Sequence, residues 1–128
     1  MLVFQFLLSL AVFGHGEDKL GPNSGYIKMP GAFHTELVID KKNSLKVYLL
    51  DMEWKNPSTK DSKLEIALVG KNPVPAKCEV KDQFYFCEFP KKVDLTKKGK
   101  LSVISQREKV MGNKVEYDLP LKIKEAAP

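Results

Sequence analysis

From Tyr26 onward the chain alternates short apolar runs with clusters of turn residues, and nothing in it calls for a helix. The runs predict eight strands, at 26–29, 33–40, 45–52, 63–69, 76–81, 84–89, 100–109 and 114–124. Lys41-Lys42-Asn43-Ser44, Asn56-Pro57-Ser58 and Asn72-Pro73-Val74-Pro75 punctuate them. Eight short strands in about 110 residues suit an all-β, two-sheet antiparallel sandwich of immunoglobulin-like or cupredoxin-like kind.

Turn chemistry sets expected registers, because directly opposed residues of an antiparallel pair point to the same face. A two-residue turn at Asp82-Gln83 places Cys78 opposite Cys87 in a non-hydrogen-bonded pair, with a Cα separation of about 4.5–5.5 Å that a disulfide can span. Two free thiols or a pair of soft metal ligands are the rival readings. A turn at Gly112-Asn113 places Val110 opposite Val115, Lys109 opposite Glu116 and Arg107 opposite Asp118. A tight turn over Met29-Pro30-Gly31-Ala32 places Ile27 opposite His34 and Gly25 opposite Glu36, so that Met29, His34 and Glu36 share one face. Along 33–40, Phe33, Thr35, Leu37 and Ile39 fall on the predicted core side and His34, Glu36, Val38 and Asp40 point outward.

Residues 1–14 are uncharged and include the apolar run 2–13, too short to cross a ~30 Å hydrocarbon layer as a helix. Although no basic segment precedes the run, it reads as a secretory signal cut before His15, which leaves one β-sandwich domain over 15–128. That processing predicts a periplasmic or secreted protein without a membrane span in the mature chain, a setting in which the cysteines oxidise. The formal net charge is +5. It comes from lysines spread along the chain, with one tight group at Lys91, Lys92, Lys97, Lys98 and Lys100 that reads as a solvated turn. A single arginine and no basic stripe interleaved with aromatics argue against nucleic acid as a partner.

The sequence does not read as an enzyme. Neither of the two histidines lies in a serine or cysteine nucleophile motif. Gly21-Pro22-Asn23-Ser24-Gly25 lacks the lysine and following helix of a phosphate loop. The chemistry-bearing segment is 15–36, which holds both histidines. Met29, His34 and Glu36 offer a thioether, an imidazole and a carboxylate on one hairpin, a donor set suited to copper. A chain beginning at His15 adds an α-amine and a second imidazole from one residue. Such a chelate resembles the amino-terminal histidine arrangement of exported copper carriers, in which a second histidine from a β-sandwich completes the site; here that histidine is His34.

The strings Gly-Pro-Asn-Ser-Gly-Tyr-Ile, Phe-His-Thr-Glu-Leu-Val and Leu-Lys-Val-Tyr-Leu-Leu-Asp, over 21–52 and more loosely to 75, resemble a small exported bacterial domain. That domain typically reads Gly-Pro-His-Gly-Gly, then His-x-Glu, then Val-x-Val-Tyr-hydrophobic-x-Asp. It occurs alone and in periplasmic adaptor subunits of heavy-metal efflux pumps. The resemblance implies a metal-associated periplasmic β domain whose partner is an efflux-pump component or another envelope protein. His34 and Glu36 match the family's His-x-Glu, and Tyr48 and Asp51 match its Tyr and Asp. Asn23 stands where the family usually has histidine and Ser24 where it has glycine. The resulting expectation is an exported binding protein for a transition metal, copper first, in a carrier or sequestration role. Its expected ligands are His15 and His34, with Met29 and Glu36 behind them. A metal-free immunoglobulin-like structural or interaction module of the cell envelope is the alternative.

Overall fold

The computed structural model describes residues 18–123 and is all-β, with ten strands in two antiparallel sheets. They are β1 (Tyr26–Lys28), β2 (His34–Lys41), β3 (Ser44–Leu50), β4 (Lys63–Leu68), β5 (Val74–Pro75), β6 (Lys77–Lys81), β7 (Phe84–Glu88), β8 (Gly99–Arg107), β9 (Val110–Met111) and β10 (Val115–Leu119). The first sheet runs β1-β2-β3-β7-β6. The second runs β10-β8-β4-β5, with β9 also paired to β8. Two of these strands, β5 and β9, are two-residue pieces outside the eight predicted runs, and β5 forms within the 72–75 stretch that the sequence reads as a turn, by pairing with the end of β4.

Alternation fills the space between the sheets. Leu37, Leu45, Val47, Leu49 and Cys87 from the first sheet meet Ile66, Leu101, Val103, Tyr117 and Leu119 from the second, all at most 5% exposed. Val93 and Leu95, from the connection between β7 and β8, close one end of this core. Tyr117 ties the sheets together: its hydroxyl lies 2.7 Å from Thr35 Oγ1 and 3.0 Å from the Thr35 carbonyl oxygen, and Thr35 is fully buried. Burial of the phenol raises its pKa well above the usual tyrosine value.

The hairpin at Asp82-Gln83 has the expected register, with Cys78 opposite Cys87 and a disulfide between them. Their Cα atoms are 4.0 Å apart, closer than the general spacing suggests. The hairpin expected at Gly112-Asn113 is instead closed at Glu108-Lys109, both with positive φ (46° and 71°), the backbone that a two-residue turn of primed type requires. Arg107 therefore opposes Val110, and Asp118 opposes Lys100. Strand β3 and the connection from it to β4 hold this turn. Arg107 Nε donates to the Leu49 carbonyl (3.1 Å), Glu108 N to Ser62 Oγ (3.0 Å) and Lys109 N to the Asp61 carbonyl (2.9 Å). Gly112 serves close packing instead, since a Cβ there would sit 2.9 Å from the Phe33 ring.

The β1–β2 register also differs from expectation. Ile27 faces Glu36 rather than His34, because a wider loop over 29–33 replaces the tight turn. Asn113 N donates to the Pro30 carbonyl (2.8 Å), anchoring that loop to the other sheet. The shift is two residues, so Ile27, His34 and Glu36 still share a face, whereas Met29, expected on it, lies beyond β1 in the loop.

Candidate functional site

β2 is buried on both faces over its first half, which corrects the expectation that His34 and Glu36 point into solvent: Glu36 is 0% exposed and His34 4%. The reason lies in two loops folded over the outer side of the first sheet. The segment 18–25 supplies one cover. Asn23 N and Gly25 N donate to Glu36 Oε2 (2.8 and 2.9 Å), and Asn23 Nδ2 donates to Oε1 (2.8 Å). Three donors on one buried carboxylate offset its desolvation, and they fix the loop to the strand. The glycines are required for this approach. A Cβ on Gly21 would lie 2.6 Å from Ile27 Cδ1 and 2.7 Å from Glu36 Oε2, and one on Gly25 would lie 2.5 Å from the Leu37 carbonyl oxygen. Asn23, read in the sequence only as a missing imidazole, is thus the main clasp on Glu36.

The second cover is the loop 51–56. Asp51 Oδ1 accepts from Glu53 N (2.9 Å) and Lys55 N (2.8 Å), and Oδ2 accepts from Asn56 Nδ2 (2.8 Å). These bonds, that from Lys55 N first and that from Asn56 next, hold the Asp51 carboxyl below the usual carboxylate range, and Arg107 adds a smaller electrostatic pull. The turn carries Trp54 and Asn56 at positive φ (64° and 52°), strained for residues with a side chain. It lays the Trp54 ring edge-on to His34, with centroids 5.9 Å apart. His34 Nδ1 lies 3.2 Å from the Asp51 carbonyl oxygen. A carbonyl only accepts, so in this contact Nδ1 is the donor.

Lys19 Nζ sits 5.6 Å over the Trp54 ring, so the N-terminal end of the described chain reaches the side of the Trp54–His34 pair. His15 lies outside the described residues. Met29 is half-buried and lines a groove with Lys28, Pro30 and Glu116. Tyr48 opposes Glu36 across β2 and β3, where burial first and the Glu36 charge second raise its pKa. Among the described residues no three His, Cys, Asp or Glu side chains come together as a group able to hold a metal ion. Cys78 and Cys87 are engaged with each other in the disulfide.

Sequence reasoning missed Asn23, Trp54 and Tyr117. A signal for the first was present in the glycines that bracket it, since Gly21 and Gly25 permit the backbone approach that aims the Asn23 donors. No comparable local signal marks Trp54, whose role depends on a strained turn. No family model, no curated protein and no solved structure matches the chain.

Proposed function

We propose that this chain is an exported transition-metal binding protein, copper being the best-suited ion, with His34 as the ligand from the sandwich and His15 as the ligand from the N-terminal segment. The observation that carries this reading is the tethering of His34 Nδ1 to the Asp51 carbonyl, which fixes the imidazole against the loop 51–56. A backbone carbonyl behind a ring nitrogen is the usual orienting partner of a metal-bound histidine. The course of the chain agrees: Lys19 lies over Trp54, which lies against His34, and four residues span up to about 14 Å, so His15 is within reach. The imidazole and free amine of a first-residue His15 would add two nitrogen donors, a set that suits Cu(II). Glu36 takes a structural role in this reading, because its oxygens already accept three hydrogen bonds in a dry site. Met29 is a secondary donor at the edge of the same hairpin.

The disulfide Cys78–Cys87 is compatible with an oxidising compartment. Among the described residues no helix is long and apolar enough to cross a membrane. A carrier or sequestration role beside an efflux-pump component follows from the resemblance over 21–52.

Trp54 is the chain's single tryptophan and makes the test direct. Cu(II) added to protein that begins at His15 should quench its fluorescence with one equivalent. His15→Ala removes the imidazole arm of the amine–imidazole chelate without touching the sandwich. It should weaken binding by at least the roughly 10–100-fold that loss of an outer-shell partner costs. His34→Ala should abolish the tight phase, with circular dichroism confirming the fold. Equal, weak binding by all three proteins would reject the metal reading and favour the envelope interaction module.

A further inference from the structure

The sandwich is electrically lopsided along its strand axis. Antiparallel pairing brings four segments to one end: 40–43 between β2 and β3, 69–73 between β4 and β5, 89–98 between β7 and β8, and 120–123 after β10. They hold eight lysines against two carboxylates, Asp40 and Asp94, a formal +6. All eight lysines are exposed. The connections at the opposite end, 29–33, 51–62, 82–83, 108–109 and 112–114, hold four lysines against five carboxylates, a formal −1. The net charge of +5 therefore resides in one pole, although its lysines are far apart in the chain.

The pole is a built surface. Leu95 N donates to the Lys42 carbonyl (2.6 Å), Phe89 N to the Asn43 carbonyl (2.8 Å) and Val69 N to the Lys100 carbonyl (2.9 Å). Lysines from two connections converge on one acid: the Asp94 carboxyl is held below its usual range by the Thr96 hydroxyl and amide first, and then by Lys97 and Lys42. A shallow groove of about 600 Å³ runs beside Lys98, Lys100 and Lys122 over Leu119 and Pro120, with Asp118 as its one acid, 3.7 Å from Lys100. Val69, 43% exposed, lines this groove, and Ile123, 41% exposed, follows Lys122 in the chain.

The residue types select among polyanions. Lysine is a mobile point charge suited to a fluid array of phosphates, whereas fixed bidentate recognition uses arginine. The one arginine, Arg107, is at the other end and donates to the Leu49 and Asn56 carbonyls. Phe89 is the pole's single aromatic residue and is 2% exposed, so no ring is offered for stacking on bases. We propose that this pole docks on a membrane surface rich in anionic phospholipid headgroups, its lysines on the phosphates and Val69 and Ile123 at headgroup depth. His34, at the far end of β2 about 25 Å away, then faces outward from the membrane. Attraction of this kind is worth about fivefold in affinity per lysine near the surface and fades beyond a Debye length of about 8 Å.

The test is co-sedimentation of chelator-treated, metal-free protein with vesicles, so its outcome is separate from that of the copper titration. Vesicles of phosphatidylcholine containing phosphatidylglycerol should bind the protein at low salt and release it at high salt, and pure phosphatidylcholine should not bind. The pairs Lys91→Gln with Lys92→Gln, and Lys97→Gln with Lys98→Gln, should each weaken binding about 25-fold at two lysines per pair. Lys55→Gln with Lys60→Gln removes the same charge from the opposite end and should change it by less than about twofold. Equal binding to pure phosphatidylcholine, an equal loss in the opposite-end pair, or tighter binding to heparin or duplex DNA than to the anionic vesicles would overturn the proposal.

Discussion

The outer faces of the two sheets are written in the same alternating code and end in different environments. On the second sheet, Lys63, Glu65, Lys100, Glu116 and Asp118 stand in solvent, where Lys100 lies 3.7 Å from Asp118 and 4.0 Å from Glu116. Exposed pairs of this kind contribute at most about 1 kcal/mol each. On the first sheet, His34 and Glu36 occupy equivalent outward positions on β2, yet the loops 18–25 and 51–56 seal them from water. A charged residue on the polar phase of a strand is a surface residue only where no other segment lies over it. Where one does, the charge changes from a solubilising group to the anchor of that segment.

The sharpest way to break the comparison is to remove the two matching carboxylates. Glu36→Ala should cost about 2–3 kcal/mol in denaturant unfolding, because it leaves the buried Gly25 N–H without an acceptor and releases the two part-buried Asn23 donors that hold the loop. Glu65→Ala, on the open face opposite Ile104, should stay within about 0.5 kcal/mol. Similar losses at both sites would mean that the cover over Glu36 is not formed in solution. A smaller contrast lies within the first cover. Gly25→Ala should destabilise by about 1–3 kcal/mol, since its Cβ meets the Leu37 carbonyl oxygen and Val38, whereas Gly31→Ala meets nothing within 4 Å and should be near neutral.

The smallest effect separates the two covers by pH. The Asp51 carboxyl has a lowered pKa in the folded loop, so its contribution is complete above the usual carboxylate range, near 4, and is lost as pH falls through the folded value. Trp54 fluorescence should therefore change in acid before the sheets unfold by circular dichroism. Asp51→Asn should lose that acid step. A Trp54 signal that moves only with global unfolding, in both proteins, would show that the loop is held by something other than the Asp51 carboxylate.

Much of the fold was legible because it depends on local pattern. All eight expected strands correspond to strands of the structure, and the Asp82-Gln83 turn paired the cysteines correctly. The Gly112-Asn113 turn failed for a tertiary reason: Arg107, Glu108 and Lys109 are bonded to the end of β3 and the connection that follows it, which selects a positive-φ turn at two residues that carry side chains. At the candidate site, the residues that bear chemistry were readable by type, while their exposure was not. Asn23 and Trp54 act across 13 and 20 positions of sequence on Glu36 and His34, and no alternation rule reaches that far.

Sequence alone determined the all-β class, the strand phases, the disulfide partners and the donor types near the start of β2, since each follows from side-chain period, turn chemistry or residue identity within a few positions. Only the tertiary structure decided which polar face is sealed, which nitrogen of His34 is tethered, and that lysines scattered from Lys41 to Lys122 form one pole. Those outcomes depend on loops arriving from distant parts of the chain, and burial and charge are properties of what surrounds a residue rather than of the residue itself.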